Sequence, residues 1–301
     1  MKKNILLLIF IQLIFSQSFS EFSFSGAKSM GMAGAVVSNI NDSESVFYNP
    51  SGLANANKYS AIFGTSKLYN LDFITHEFIS ISFPNKMAFS FQQLSTNSKG
   101  SFSSESSGSV NLSNEELVSF SQGFNLLDDA NSTLSIGYNV NALIFSQAGS
   151  AGPNGDGTFG LPSSKSTTFG IDLGVHASLR DKIVFGAFIK NINNPTIGRG
   201  SSQSHFPRKM DLGITYNPFN DLYTTFAFER ILGADKTSFR FGAEYNLTNV
   251  LTVRSGIQMN PNRFGFGLTY NIRNIELSYG LLTHSILSTS NVVSIKVNFE
   301  K

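Results

Sequence analysis

The feature that most constrains this chain is a period-two alternation of apolar and polar residues. It runs from about residue 57 to the end, broken by short polar turns and a few longer connections. Residues 134–144 carry it plainly: Leu134, Ile136, Tyr138, Val140, Ala142 and Ile144 fall on one side, Ser135, Gly137, Asn139 and Asn141 on the other. Successive strand side chains point to opposite faces, so each such run makes a strand with one apolar and one polar wall. The split recurs in Phe169, Ile171, Leu173, Val175 and Ala177 against Gly170, Asp172, Gly174, His176 and Ser178. It returns in Met210, Leu212, Ile214 and Tyr216, and again in Phe264, Phe266, Leu268 and Tyr270.

Two environments can cover an apolar wall: a second sheet or lipid. No apolar run reaches the roughly 20 residues a spanning helix needs, so a membrane crossing here requires a closed barrel. Charged residues make up 14% of the 301, against roughly 25% in a soluble domain. Composition alone suits a secreted β-rich domain equally well. The formal net charge of +2 shows no basic patch of the kind that marks a nucleic-acid binder. Cysteine is absent, which excludes disulfides, thiolate metal sites and lipoprotein acylation.

Connection lengths separate the two environments. The alternation predicts fourteen strands, near 58–66, 72–83, 85–96, 114–124, 131–147, 164–179, 182–192, 208–217, 220–231, 235–246, 249–258, 262–271, 273–282 and 290–299. Turns after even-numbered strands are all tight: Pro84-Asn85, Leu126 to Ala130, Arg180-Asp181, Pro218-Phe219, Leu247-Thr248 and Arg273. Long connections, 97–113, 148–163 and 193–207, all follow odd-numbered strands. Short turns at one end and long loops at the other mark an outer-membrane barrel, whereas a sandwich has no reason to sort loops by parity. The expected fold is therefore all-β, a transmembrane antiparallel up-and-down barrel of about fourteen strands with residues 58–301 as its wall.

Residue placement extends the expectation. Tyr216, Tyr245, Tyr270 and Phe299 fall outward near the short-turn end, where amphipathic rings form an interfacial girdle. The opposite wall carries Asp172, His176, Lys190, Asp211, Glu229, Arg240, Glu244, Arg254, Arg263, Glu276 and Lys296. On the lipid face such charges would each cost roughly 2–4 kcal/mol near the midplane; facing a lumen they can pair. Both signs are interspersed, which argues for structural pairing rather than an ion filter.

The N-terminus follows other rules. Lys2 and Lys3, an apolar core from Ile5 to Phe15, and Ser18 and Ser20 read as a signal peptide over residues 1–20, with Glu21 as the expected mature start. Residues 21–57 do not alternate. They include Gly26, Gly31 and Gly34, then Asn41-Asp42-Ser43-Glu44, then Asn49-Pro50-Ser51-Gly52-Leu53. Small residues allow close backbone packing, and Asn-Pro-Ser-Gly is a turn.

The run GAKSMGMAGAVVSNINDSESVFYNPSGLA ahead of such a barrel resembles the FadL-type outer-membrane proteins, and most closely their PorV/PorQ group. Asn49, Pro50, Ser51, Gly52 and Leu53 match the group's turn, and His284-Ser285 leading into Asn291 to Phe299 resembles its tail. The resemblance implies an N-terminal segment, residues 21–57, that plugs the lumen. It also implies a Gram-negative outer-membrane location, with membrane lipid and the barrel assembly machinery as partners. In FadL-type members the hatch gates fatty-acid-like hydrophobic compounds; PorV-like members serve type IX secretion through protein contacts. Both readings stay open at this stage, as does a purely structural role. The chain is shorter than typical fatty-acid transporters and continues past Phe299 with Glu300-Lys301, two departures from the group.

Catalysis finds no support in the sequence. His76, His176, His205 and His284 lie on separate elements and in no hydrolase motif. A solvated imidazole is expected at His205 and His284. Asn154-Gly155-Asp156-Gly157 lacks the spacing of a calcium loop. No cofactor, metal or catalytic residue is expected.

Overall fold

The computed structural model describes residues 24–103, 106–150, 152, 159–180, 182–198, 203–233 and 236–299. The expected signal peptide, Glu21, the 154–157 tetrapeptide and Glu300-Lys301 lie outside them. Fourteen strands form the wall. They are β1 (Tyr59–Lys67), β2 (Ile74–Ser82), β3 (Met87–Ser103), β4 (Ser106–Asp129), β5 (Ser132–Gln147), β6 (Ser164–Leu179) and β7 (Ile183–Lys190), then β8 (Arg208–Phe219), β9 (Leu222–Leu232), β10 (Lys236–Thr248), β11 (Leu251–Met259), β12 (Arg263–Ile272), β13 (Ile275–Leu282) and β14 (Ser290–Phe299). Each pairs antiparallel with its chain neighbours, and β1 closes on β14 from Tyr59↔Phe299 to Lys67↔Asn291. Closure leaves no unpaired edge, which a lipid environment demands.

Alternation sorts the two faces as the sequence requires. On β12, Phe264, Phe266, Leu268 and Tyr270 are exposed outward, while Arg263, Gly265, Gly267 and Thr269 are buried inward. The outer surface is apolar around the barrel, with Phe63, Phe89, Val140, Phe169, Phe185, Phe226, Phe241 and Ile295 among its exposed side chains.

The connections differ from expectation in two places. Residues 97–113 are not a loop. Pairing of β3 with β4 continues from Asn97↔Asn111 to Ser103↔Ser106, so this stretch is the upper arm of a long hairpin. In the sequence Ser, Asn and Gly dominate both parities of this stretch, so the hydrophobic period vanishes. The backbone ladder persists because its hydrogen bonds do not depend on side-chain polarity. In the second place, β4 runs on to Asp129 past a bulge between Asn125 and Leu127, which moves the turn from 126–130 to Ala130-Asn131. The bulge absorbs one extra residue and restores the register.

The connection after β7 folds back rather than projecting. Thr196–Ile197 pairs with Ser204–His205. Asn193 latches it to β6, accepting from the Ile171 N–H at 2.9 Å and donating to the Phe169 carbonyl at 2.8 Å. This asparagine amide replaces the ladder bonds that the short β7 leaves unmade. Phe206 then turns inward against Leu117 and Leu143.

Candidate functional site

The lumen is filled by residues 24–57, which make a circuit of the inner wall. Helix α1 (Ala27–Gly31) lies along β11 to β14. Met32 to Ser38 pass along β11, β10, β8 and β7. A 3-10 turn, Asp42–Glu44, and helix α2 (Ser45–Tyr48) reach β1 to β3. A second 3-10 turn, Pro50–Asn55, packs on β4, β5 and β6. Ala27, Met32, Ala33, Ala35, Val36, Ser43, Ser45, Asn49, Ser51, Leu53 and Ala56 are completely buried. This segment has little regular structure of its own, so its shape is set by what it touches.

Chief among those contacts is a belt of wall glycines. Gly123, Gly137, Gly174, Gly186, Gly213, Gly242, Gly256, Gly265 and Gly280 each face the segment so closely that an added Cβ would lie within 3.0 Å of one of its atoms. They come from nine different strands, and many are direct ladder partners: Gly123↔Gly137↔Gly174, Gly186↔Gly213 and Gly242↔Gly256↔Gly265. Ala227 continues the row on β9. At Gly123, Gly137, Gly186, Gly256, Gly265 and Gly280 backbone packs on backbone, while Gly174, Gly213 and Gly242 receive the side chains of Asn49, Val37 and Met32. On the remaining sector larger side chains take over: Ile62, Phe78, Ala88, Leu282 and Val292 pack with Phe24, Met30, Val46, Phe47 and Leu53. Phe47 meets Phe78 edge-on at 5.7 Å.

Of the plug residues singled out in the sequence, Asn49 does the most bonding. Its Nδ2 donates to the Val37 carbonyl at 2.9 Å and to the Val175 carbonyl of β6 at 3.0 Å, while its Oδ1 accepts from the Ser51 N–H and hydroxyl. One side chain thus closes the 49–51 turn, ties it to the far limb and fixes both to the wall. Pro50 occupies the first position of the 3-10 turn, where its missing N–H costs nothing. Gly52 faces the Ile40 carbonyl and Ser45 hydroxyl, and Gly31 faces the Gly267 backbone, each closer than a Cβ would permit. Gly26 and Gly34 have φ of 118° and 83°, values only glycine takes without strain. Leu53 is core.

Polar bonds from the wall complete the fit. Gln92 accepts from the Ser25 hydroxyl at 2.7 Å, Ser60 and Thr215 bond Ser43 and Ser38, and Asn139 donates to the Val46 carbonyl at 3.0 Å. Tyr48 donates to the Ser25 carbonyl and is bonded to Ser29, closing the segment on itself.

The eleven charged and imidazole positions named for the lumen all fall on the inward face, Lys190 among them and partly buried. Asp172, His176, Asp211, Glu229, Arg240, Glu244, Arg254 and Arg263 are buried, with Glu276 and Lys296 partly so. They fall into clusters. Toward the loop end, Arg240 bonds Glu229 at 2.6 Å and lies 3.8 Å from Asp211, and Lys209 bridges the same two carboxylates. Arg240 also donates to the Gly34 carbonyl at 3.4 Å and sits over the Phe24 ring at 5.7 Å. Asp172 accepts from Asn139, Asn141 and the Asn191 N–H. Toward the turn end, Glu244 pairs with Arg254 and with Lys28 of the plug at 3.4 Å, and Lys296 pairs with Glu276 at 2.9 Å. Among the described residues, Arg240, Lys209, Lys28, Arg254 and Lys296 face carboxylates of opposite charge, and both signs are interspersed along the wall.

Two regions of the interior differ in chemistry. A cavity of about 140 Å³ lies between plug and wall at the turn end, bordered by Lys28, Asp42, Glu44, Arg254, Glu276 and Lys296. Burial pushes the Glu44 carboxyl above its usual range, while Lys296, Lys28 and Arg254 pull it back. At the loop end, Leu94, Leu117, Leu143, Ile197 and Phe206 form an apolar cluster above the plug. His284, expected to be solvated, is half-buried, meets the Tyr69 ring at a tilt with centroids 4.6 Å apart, and bonds Ser290 at 2.8 Å. Its burial, with Arg263 nearby, lowers its pKa to about 4. His205 bonds Asn194 at 3.3 Å. Among the described residues no group of His, Asp and Glu has metal-binding geometry.

Solved structures share this fold. The Pseudomonas putida toluene transporter TodX matches with a TM-score of 0.60 at 13% identity, over 92% of this chain and 99% of that one. The monoaromatic hydrocarbon channel CymD matches at 0.61 and 12%, over 92% and 98%. A Pseudomonas aeruginosa FadL homologue matches at 0.55 and 11%, over 91% and 98%. What they share is the fold. No family model matches the sequence, and no curated protein matches it.

The glycine belt went unread in the sequence. Its signal was there, since Gly137, Gly174, Gly213, Gly265 and Gly267 all sit on the polar side of their strands. A polar-side glycine reads as neutral filler until something is known to press against it.

Proposed function

We propose that the chain is an outer-membrane channel for small hydrophobic molecules, with residues 21–57 as its gate. The observation that carries this reading is the plug itself: a segment held by close packing against the wall and by paired charges, inside a barrel with an apolar cluster at one mouth. Leu94, Leu117, Leu143, Ile197 and Phe206 offer an apolar molecule a first resting place. The charged cavity beneath them does not, so passage requires the plug to shift. The fold shared with proteins described as hydrocarbon channels and a toluene transporter supports the same reading.

On this reading residues 1–20 direct export, the barrel assembly machinery inserts the chain in a Gram-negative outer membrane, and lipid covers the outer wall. Tyr216, Tyr245, Tyr270 and Phe299 are exposed outward near the short-turn end, where they serve as the interfacial girdle. The wall charges act as structural pairs, and no catalytic chemistry is assigned. The test is mass spectrometry of protein purified in mild detergent, joined to uptake of a monoaromatic hydrocarbon by vesicles carrying the protein. A retained apolar ligand, and uptake slowed at least tenfold by Leu117→Asp, are expected. Uptake indifferent to that change, with no ligand retained, defeats the proposal.

A further inference from the structure

The outer wall is not uniformly apolar. Thr65 on β1, Glu77 on β2 and Gln93 on β3 are direct ladder neighbours, and their positions in the alternation put all three on the outward face. Thr65 and Glu77 are exposed, and Gln93 is partly so. Each lies six residues from the turn-end position of its strand or turn, Tyr59, Phe83 and Met87. At about 3.3 Å per residue and a tilt of about 40° that is a height of about 15 Å, within an apolar band about 25 Å tall. Six residues from the turn end on β12, β13 and β14 stand Phe266, Leu281 and Val293. The band is therefore notched on β1 to β3 by Thr65, Glu77 and Gln93, and Glu116 of β4, the ladder partner of Gln93, carries the same rung one strand further.

The notch is organised. Gln93 donates to Asn114 at 2.8 Å, and Asn114 donates to Glu116 at 2.7 Å, an outward relay that steps toward the loop end and returns to Glu116 directly opposite Gln93. Glu77 has no hydrogen bond or ion pair among the described residues. Acyl chains offer it none, and the charge is unfavourable there. A second copy whose two-fold axis passes through this rung would set Glu77 and Glu116 close to their own copies, which like-charge repulsion opposes.

The geometry points to a lateral docking surface on β1 to β4 for a different membrane-embedded protein, one that presents an arginine or lysine to Glu77 within the bilayer. An ion pair formed away from water is strong and orients its partners, and the Gln93–Asn114–Glu116 relay supplies further polar groups beside it. This inference is independent of what passes through the lumen, since Glu77 lies on the other side of the wall.

The test is photocrosslinking in the native outer membrane, with the photoreactive residue at Ile79, one step below Glu77 on the same face, and at Phe266 as the control. Expected is an adduct with one protein at position 79 and none at 266. It should be lost on Glu77→Lys, reduced at least tenfold on Glu77→Gln, and regained with Glu77→Lys when the crosslinked partner's basic residue is changed to Glu. Heat-modifiability of each variant on a gel shows that its barrel has folded. Adducts with lipid alone, adducts between two copies of this chain, or a protein adduct indifferent to Glu77→Lys each overturn the docking surface.

Discussion

Wall and plug are built on opposite principles, though both are specified by the same chain. The wall is redundant: fourteen strands repeat one rule, apolar out and polar in, and each is held by two neighbours. The plug repeats nothing. It has two helices of five and four residues, too short to be stable alone, and it keeps its shape through the surfaces around it. The wall follows from local pattern, while the plug follows from a negative of itself pressed into the wall: nine glycines where it comes close, and paired charges where it leaves room.

If that contrast is right, changes on the inner face of a strand should act on the plug, and the same change on the outer face should not. The largest effect is expected from Arg240→Leu. It leaves Asp211 and Glu229 buried with only Lys209 between them and removes the bond to Gly34. Breaking a buried pair in this way costs about 3–5 kcal/mol, read as a lowered midpoint in denaturant unfolding followed by circular dichroism.

Next come Gly256→Leu and Gly137→Leu, which push a side chain into the plug backbone. Overpacking costs about 1–3 kcal/mol, and the segment 24–57 should become open to protease in intact vesicles. Ala243→Leu, on the outer face of β10, is the matched control and should leave protease resistance unchanged. Protease sensitivity in both, or in neither, would break the distinction between the faces.

Asn49→Ala removes the bonds to Val37, Val175 and Ser51. Leaving buried partners unmet costs about 1–3 kcal/mol, and the loss should appear as faster amide exchange in 45–55 with the strands unaffected. The smallest effect is a pH dependence. Burial raises the Glu44 carboxyl above its ordinary value of 4.5. The seated plug therefore favours the protonated form, and this contribution is full below pH 4.5 and fades as pH rises through the elevated value. Plug protection in exchange experiments should be slightly greater in acid, and Glu44→Gln should flatten that trend.

Legibility in the sequence followed the same division. Strands such as 134–144 and 262–271 could be read from period two because lipid and lumen impose different chemistry on alternate residues. Residues 97–113 could not, since Ser, Asn and Gly dominate both parities there and the contrast disappears while the ladder continues. The inward charges were found because they interrupt nothing on the apolar face. Which of them pair, as Arg240 does with Glu229 and Lys28 with Glu244, depends on closure of the barrel and on a plug far away in sequence. Asn49-Pro50-Ser51-Gly52 was legible as a turn but not as a bridge, because its wall partner, Val175, lies 126 residues on.

On the proposed reading, residues 24–57 seal the barrel. Conductance across a planar bilayer tests it most directly, with the intact chain compared with one in which 24–57 are deleted and the fold is checked by heat-modifiability. The intact protein should pass almost no ion current, and the deleted form should give steady, ohmic steps. Equal conductance from the two forms, open or closed, would contradict the account.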